Sequence, residues 1–162
     1  MRLLIITFLL FSFLTACATG PKFDAKTYHH EPAPNAVSNN IQAMQGIKVL
    51  WGGVIINQHQ GAERAQLEIL AYPLDSRQRP DVSKAPLGRY LAIKDSYLES
   101  ADFSQGRLIT TIGTIDDVQP GLVGQATLVY PIIEINQTHL WPVQSQSSEP
   151  KFHIGVGVMF SN

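Results

Sequence analysis

The sequence holds a single cysteine, at position 17. One thiol excludes an internal disulfide and any cluster or zinc site built from several cysteines. Charge is scarce too: 15% of the residues are charged and the formal net charge is −1. That balance lacks the clustered Lys and Arg of a nucleic-acid footprint, so no nucleic acid is expected as a partner. No apolar run reaches the roughly 18 to 20 residues that cross a bilayer as a helix. The first run, 3–14, broken only by Thr7 and Ser12, falls short of it. Also missing are a G-x-S-x-G elbow, a Walker-type loop and a G-x-G-x-x-G in strand-to-helix context. The Gly155 and Gly157 pair has no helix after it and reads as strand glycines. No cofactor and no catalytic residue are therefore expected, and 162 residues suit one folded domain.

What is present starts at the N-terminus. Arg2 precedes the 3–14 run, whose length fits the core of a signal peptide, and Leu14-Thr15-Ala16 lead into Cys17. This arrangement resembles the lipobox of bacterial lipoproteins. The resemblance implies cleavage after Ala16, lipid attachment at Cys17 through its sulfur, and acylation of the new amino group with a fatty acid such as palmitate. The plainer reading, a buried inert thiol, is outweighed by the agreement of position, flanks and preceding run. Ala18, rather than an aspartate, implies an outer-membrane destination. One acyl chain holds only marginally and several hold firmly, so such an anchor needs no spanning segment. The expected organisation is a signal peptide over 1–16, a lipidated N-terminus and flexible tether over 17–45, and a β-barrel domain over 46–162. The tether is polar, with Gly20-Pro21 and Pro32-Ala33-Pro34, and ends in a short helical turn around 38–44. His29-His30 followed by Glu31 lack a third ligand at useful spacing, so no metal is expected there.

From Gly46 the texture changes. The segment 47–56 is rich in β-branched residues and apolar on both faces, with Gly52-Gly53 marking a bulge or bend. In 65–74, Leu67, Ile69 and Ala71 alternate with Gln66, Glu68 and Leu70. A breaker-rich loop follows over 75–88. Strands are expected at 88–94 and 106–115, each opened by a Gly-Arg pair, with one helical turn between them. Asp116-Asp117 and Pro120-Gly121 mark the next turn. A long strand over 123–135 carries Pro131, 138–141 pairs back on it, and 151–160 closes the domain with clean two-residue alternation. Short strands separated by Gly and Pro mean an all-β sandwich or barrel. The glycines in mid-strand favour a small barrel, closed or partly open, OB-like, of about six strands, because closure needs strands that curl. Apolar residues on both faces of 47–56 and 123–135 suit a soluble core better than a membrane barrel.

The lipobox, then VLWGGVIIN, LEILAYPLDSRQRP, GRYLA, SYLESADFSQGRLITTIGTI and YPIIEI before a Trp, resemble the Slp family of bacterial outer-membrane lipoproteins, named for starvation-inducible members. Gly88-Arg89-Tyr90 stands where the family pattern has Gly-Arg-Phe, and Leu98-Glu99-Ser100 where it has Leu-Asp-Pro. The resemblance implies an outer-membrane-anchored, periplasm-facing module with a structural or binding role in envelope stress or stationary phase. It implies no catalytic mechanism. Expected partners are outer-membrane lipid through acylated Cys17, and envelope proteins or glycan.

Among the polar residues, Arg89 and Arg107 stand out. Each follows a Gly at a strand start, so the two can share one rim of the barrel and grip a phosphate or carboxylate. An ion pair with Asp95, Asp102 or Glu99 is the plainer reading and is preferred. His59, His139 and His153 are dispersed, and Glu63, Glu68, Asp75 and Asp81 fall at turns or on outer strand faces, where solvation is ordinary. Trp51 reads as core. The alternative to a binding or structural module is an envelope hydrolase or small-ligand-binding protein with an unrecognised polar site.

Overall fold

Strand β1 (Lys48–Gln60) is apolar on two faces because both are covered. Val49, Trp51 and Ile55 point into the principal core, whereas Leu50 joins Ile112 and Phe23 in a second cluster on the other side of the sheet. A computed structural model describes residues 32–143, together with Phe23 and Tyr28. Within them β1 is followed by β2 (Ala65–Tyr72), β3 (Gly88–Lys94), β4 (Leu108–Val123) and β5 (Ala126–Leu140). The strands close into a barrel in the order β1-β2-β3-β5-β4, antiparallel throughout except for the parallel β3–β5 contact. This is the five-stranded Greek-key arrangement of an OB-type barrel, as the alternation and the mid-strand glycines led us to expect. The further strand expected at 151–160 lies outside the described residues.

Curling is built in at two glycines. A Cβ on Gly53 would overlap the Leu70 carbonyl, and one on Gly113 would stand 2.7 Å from the Glu134 carbonyl oxygen. Both sit beside register shifts, at Ile55/Asn57 in the β1–β2 ladder and at Ile112/Gly113 in the β4–β5 ladder. There the extra residue bends one strand over its partner. β2 alternates cleanly, with Ala65, Leu67, Ile69 and Ala71 buried and the residues between them half-buried. The barrel's polar interior is a short chain of bonds. The Tyr90 hydroxyl lies 2.9 Å from Thr111 Oγ1, and Thr111 donates to the Trp51 carbonyl at 3.1 Å. Burial pushes the Tyr90 phenol well above its ordinary value, so it stays neutral.

Three expectations are corrected. Asp116-Asp117 and Pro120-Gly121 do not end a strand: β4 runs through them to Val123, and the turn falls at Gly124 (φ 60°) and Gln125. The acidic pair sits at a second register shift, Ile115/Asp117, and the Tyr130 ring occupies the space that a side chain at Gly121 would need. The stretch 138–141 does not pair back on β5; its first residues continue β5, with Thr138, His139 and Leu140 facing Thr111, Thr110 and Ile109 of β4. Finally, the end of the tether belongs to the packed body. Helix α1 (Pro34–Asn39) and the 3-10 turn Ile41–Ala43 carry Val37, Ile41 and Met44 onto the principal core, with Val37 fully buried. The Trp51 indole donates to the Pro32 carbonyl at 2.9 Å, tying this segment to β1.

Candidate functional site

Arg89 lies on β3 and forms an ion pair with Glu68 on β2, Nη1 to Oε1, at 2.6 Å. Both side chains are about three-quarters covered, and Glu68 raises the Arg89 guanidinium further above its ordinary value. The partner is a cross-strand neighbour, not Asp95, Asp102 or Glu99; Asp95 pairs instead with Arg64 at 2.9 Å, out in solvent. The outer β2–β3 surface, which OB barrels commonly use for ligands, thus has its principal charges neutralised by each other. Tyr130, from the first half of β5, lies beside Arg89.

Arg107 is elsewhere. It precedes β4, and its neighbour is Trp141, the residue that follows the end of β5. The structure therefore does not bring Arg89 and Arg107 to one rim. It brings Arg107 to Arg79 instead. The two line one hollow of about 410 Å³ with Leu108, Trp141, Pro142 and Val143. Arg79 stacks over the Trp141 ring at 5.7 Å from its centroid. Arg107 makes only a long 3.4 Å bond to the Trp141 carbonyl, and its Nε is buried with no hydrogen-bond partner. Among the described residues neither arginine has a carboxylate within ion-pair distance. A buried guanidinium nitrogen without a partner is costly, and two uncompensated cations beside an indole make an electropositive, partly apolar seat.

Local sequence builds this seat. Asp75 Oδ1 accepts from the backbone N–H groups of Arg77 and Arg79 (2.8 and 2.9 Å) and so folds the loop back on itself. Gln78 takes a left-handed backbone at φ 64°, the one non-glycine to do so among the described residues. Its carbonyl accepts the Thr110 hydroxyl at 2.7 Å, and Thr110 in turn accepts the Trp141 indole N–H at 2.9 Å. His139 packs edge-on against Trp141 at 4.6 Å between centroids, and burial lowers its pKa. Sequence reasoning passed over Arg79 and Trp141, although both stand in or beside segments that carried the family resemblance. No periodicity marks a loop arginine.

The other polar residues are spread out. His59 is exposed on β1, Glu63 lies in the β1–β2 turn, and Asp81 caps a turn through Ser83. Among the described residues no three His, Cys, Asp or Glu side chains converge. A second hollow, of about 350 Å³, is walled by Pro34, Leu50, Tyr72, Leu74 and Leu87 and carries no charged group. His29, His30, Glu31, His153, Cys17 and the flanking Leu14, Thr15 and Ala16 lie outside the described residues.

The model of the outer membrane lipoprotein Slp family matches residues 14–158, a span that takes in Cys17. Outer membrane protein Slp of Escherichia coli (strain K12) is 33% identical over 101 residues, 62% of this chain and 52% of that protein. Uncharacterized lipoprotein YeaY of the same strain is 28% identical over 109 residues, 67% of this chain and 56% of that protein. The chain thus spans about half the length of these two curated relatives. Among solved structures it is similar to an OBody bound to hen egg-white lysozyme, with 12% identity and a TM-score of 0.40, covering 75% of this chain and 96% of that one. With residues 14–17 and the barrel segments inside one family match, the chain belongs to the outer membrane lipoprotein Slp family, a family of lipid-anchored proteins of the outer membrane.

Proposed function

We propose that this protein is a binding module of the cell envelope. Acyl chains on Cys17 hold it in the outer membrane, the barrel faces the periplasm, and the hollow between Arg79, Arg107 and Trp141 takes an amphipathic anion, a carboxylate or phosphate with an apolar body. Its setting is the envelope response to starvation or stationary phase that the family's name implies. The observation that carries the reading is the uncompensated pair of guanidiniums: Arg107 keeps a buried, unpartnered Nε beside apolar Leu108, Pro142 and Val143. An anion there would supply the missing acceptor, and Arg holds phosphate and carboxylate through paired, charge-assisted bonds. Binding rather than catalysis fits the surroundings, since among the described residues the lining holds one hydroxyl, on Ser104, and no histidine or carboxylate to act as its base. The test is calorimetric titration of the acylated chain with octyl phosphate, below its micellar concentration, against octyl glucoside. Saturable binding of the phosphate alone is expected, weakened about tenfold or more by Arg107→Gln. Equal response to both amphiphiles, or to neither, would sink the reading.

A further inference from the structure

Phe23 is six positions after Cys17, and it is not free. Its ring is buried against Leu50 and Ile112 on the outside of the barrel. Its backbone is held at both ends by one side chain: the Phe23 N–H donates to Gln78 Oε1 at 2.8 Å, and Gln78 Nε2 donates to the Phe23 carbonyl at 2.9 Å. Gln78 adopts a left-handed backbone there, a conformation that costs free energy for any residue but glycine. The clamp continues directly into the candidate pocket. The Gln78 carbonyl takes the Thr110 hydroxyl, Thr110 takes the Trp141 indole N–H, and the next residue, Arg79, lies over the Trp141 ring.

Six residues reach about 20 Å when fully extended. An anchor at Cys17 therefore keeps the face that carries Phe23, Gln78 and the arginine pocket close to the bilayer, whatever the rest of the barrel does. The charge of that face fits. Arg77 and Arg79 flank Gln78 in its loop, Arg107 lines the same hollow as Arg79, and Lys22 and Lys26 flank Phe23 in sequence only. Asp75, in the same loop, is engaged in capping that loop.

We propose that the Arg79–Arg107–Trp141 pocket seats the phosphate of an anionic lipid headgroup in the membrane that carries the anchor. The guanidiniums take the phosphate oxygens, and Leu108, Pro142 and Val143 face the glycerol and first acyl methylenes. The clamp and the pocket then act as two fixed points that orient the barrel on the bilayer. The inference rests on the reading of Cys17 as anchor and of the hollow as an anion site, and the test separates them.

The acylated full chain is placed in phosphatidylcholine vesicles with and without phosphatidylglycerol, and amide hydrogen exchange is followed over 104–108 and 141–143. The same segments are followed in neutral detergent micelles with octyl phosphate or inorganic phosphate. Phosphatidylglycerol and octyl phosphate are each expected to slow exchange there about tenfold, and inorganic phosphate to have much less effect. Arg79→Gln, at a half-buried loop position outside the strands, removes both protections while exchange in β1 and β2 reports an intact barrel. Phe23→Ser, which releases the clamp, removes the protection by phosphatidylglycerol and keeps that by octyl phosphate. Protection by octyl phosphate without protection by phosphatidylglycerol overturns the membrane seat and leaves the anion pocket standing. Protection by inorganic phosphate alone also overturns it, in favour of a free anion. No protection by any probe overturns both readings, and protection by phosphatidylglycerol that survives Arg79→Gln reduces the effect to proximity alone.

Discussion

Gly53 sits where β1 bends across β2, and a Cβ there would overlap the Leu70 carbonyl, a backbone atom that cannot swing aside. Gly53→Ala is expected to cost about 1–3 kcal/mol, as overpacking does, read as a lowered urea midpoint with an unchanged slope. His139 supplies a pH dependence. Burial against Trp141 lowers its pKa, so below about pH 6.5 the unfolded chain takes up a proton that the folded chain still refuses. Its contribution to stability is constant above that pH and declines as the pH falls toward the depressed folded value. Thermal melts of wild type and His139→Gln should run parallel above neutrality and diverge below about pH 6.5, with the wild type losing more. Parallel curves down to the carboxylate range would refute this. At this same scale the sequence was least informative about the site. Arg107 was visible through its Gly-Arg setting, but its partner Arg79 lies in a loop whose path depends on Asp75 bonds and one left-handed residue.

β2 was legible from the chain because it buries one side against the core and leaves the other half-buried, the pattern that period-two alternation reports, whereas β3, buried at Tyr90, Leu91 and Ala92 in succession, was announced by its Gly-Arg start. The expected strands at 106–115 and 123–135 fall on β4 and β5, but the far end of β4 was not legible, for a physical reason. Beyond Asp117 in β4 and before Pro131 in β5 they extend as a two-stranded arm, with Leu122, Leu128 and Val129 exposed and Tyr130 the one buried residue among those described, so neither face has a core to impose a period. Asp116-Asp117 and Pro120-Gly121 read locally as a turn, yet the antiparallel ladder carries them as strand. Amide exchange should accordingly be fastest over 118–130 and slow in the barrel part of the same strands; uniform protection along β4 would contradict the arm. The helical turn expected around 38–44 overlaps α1 and the 3-10 turn, but the start of α1 and its burial were hidden for the opposite reason. Pro34 and Val37 are its two buried residues in a polar stretch, and two positions are too few to set a period. Val37→Ala should cost about 1–3 kcal/mol, measured by denaturant unfolding, whereas a true tether would lose nothing.

For the molecule as a whole, position is set by the first residues and shape by the strands. Cys17→Ser is expected to move the protein out of the membrane fraction and to leave its unfolding midpoint unchanged in detergent, checked by fractionation and thermal melts. A Cys17→Ser chain that stayed membrane-bound would remove the lipid from the account. The barrel has a further property in time rather than in space. β3 and β5 meet through three rungs, Leu91, Ala92 and Ile93 against Ile132, Ile133 and Glu134, partners far apart in the chain. Hairpins β1–β2 and β4–β5 can form from near neighbours, but this seam cannot form until β5 exists. The cylinder is therefore shut last, and a chain emerging N-terminus first lives for a while as an open sheet with its core wet.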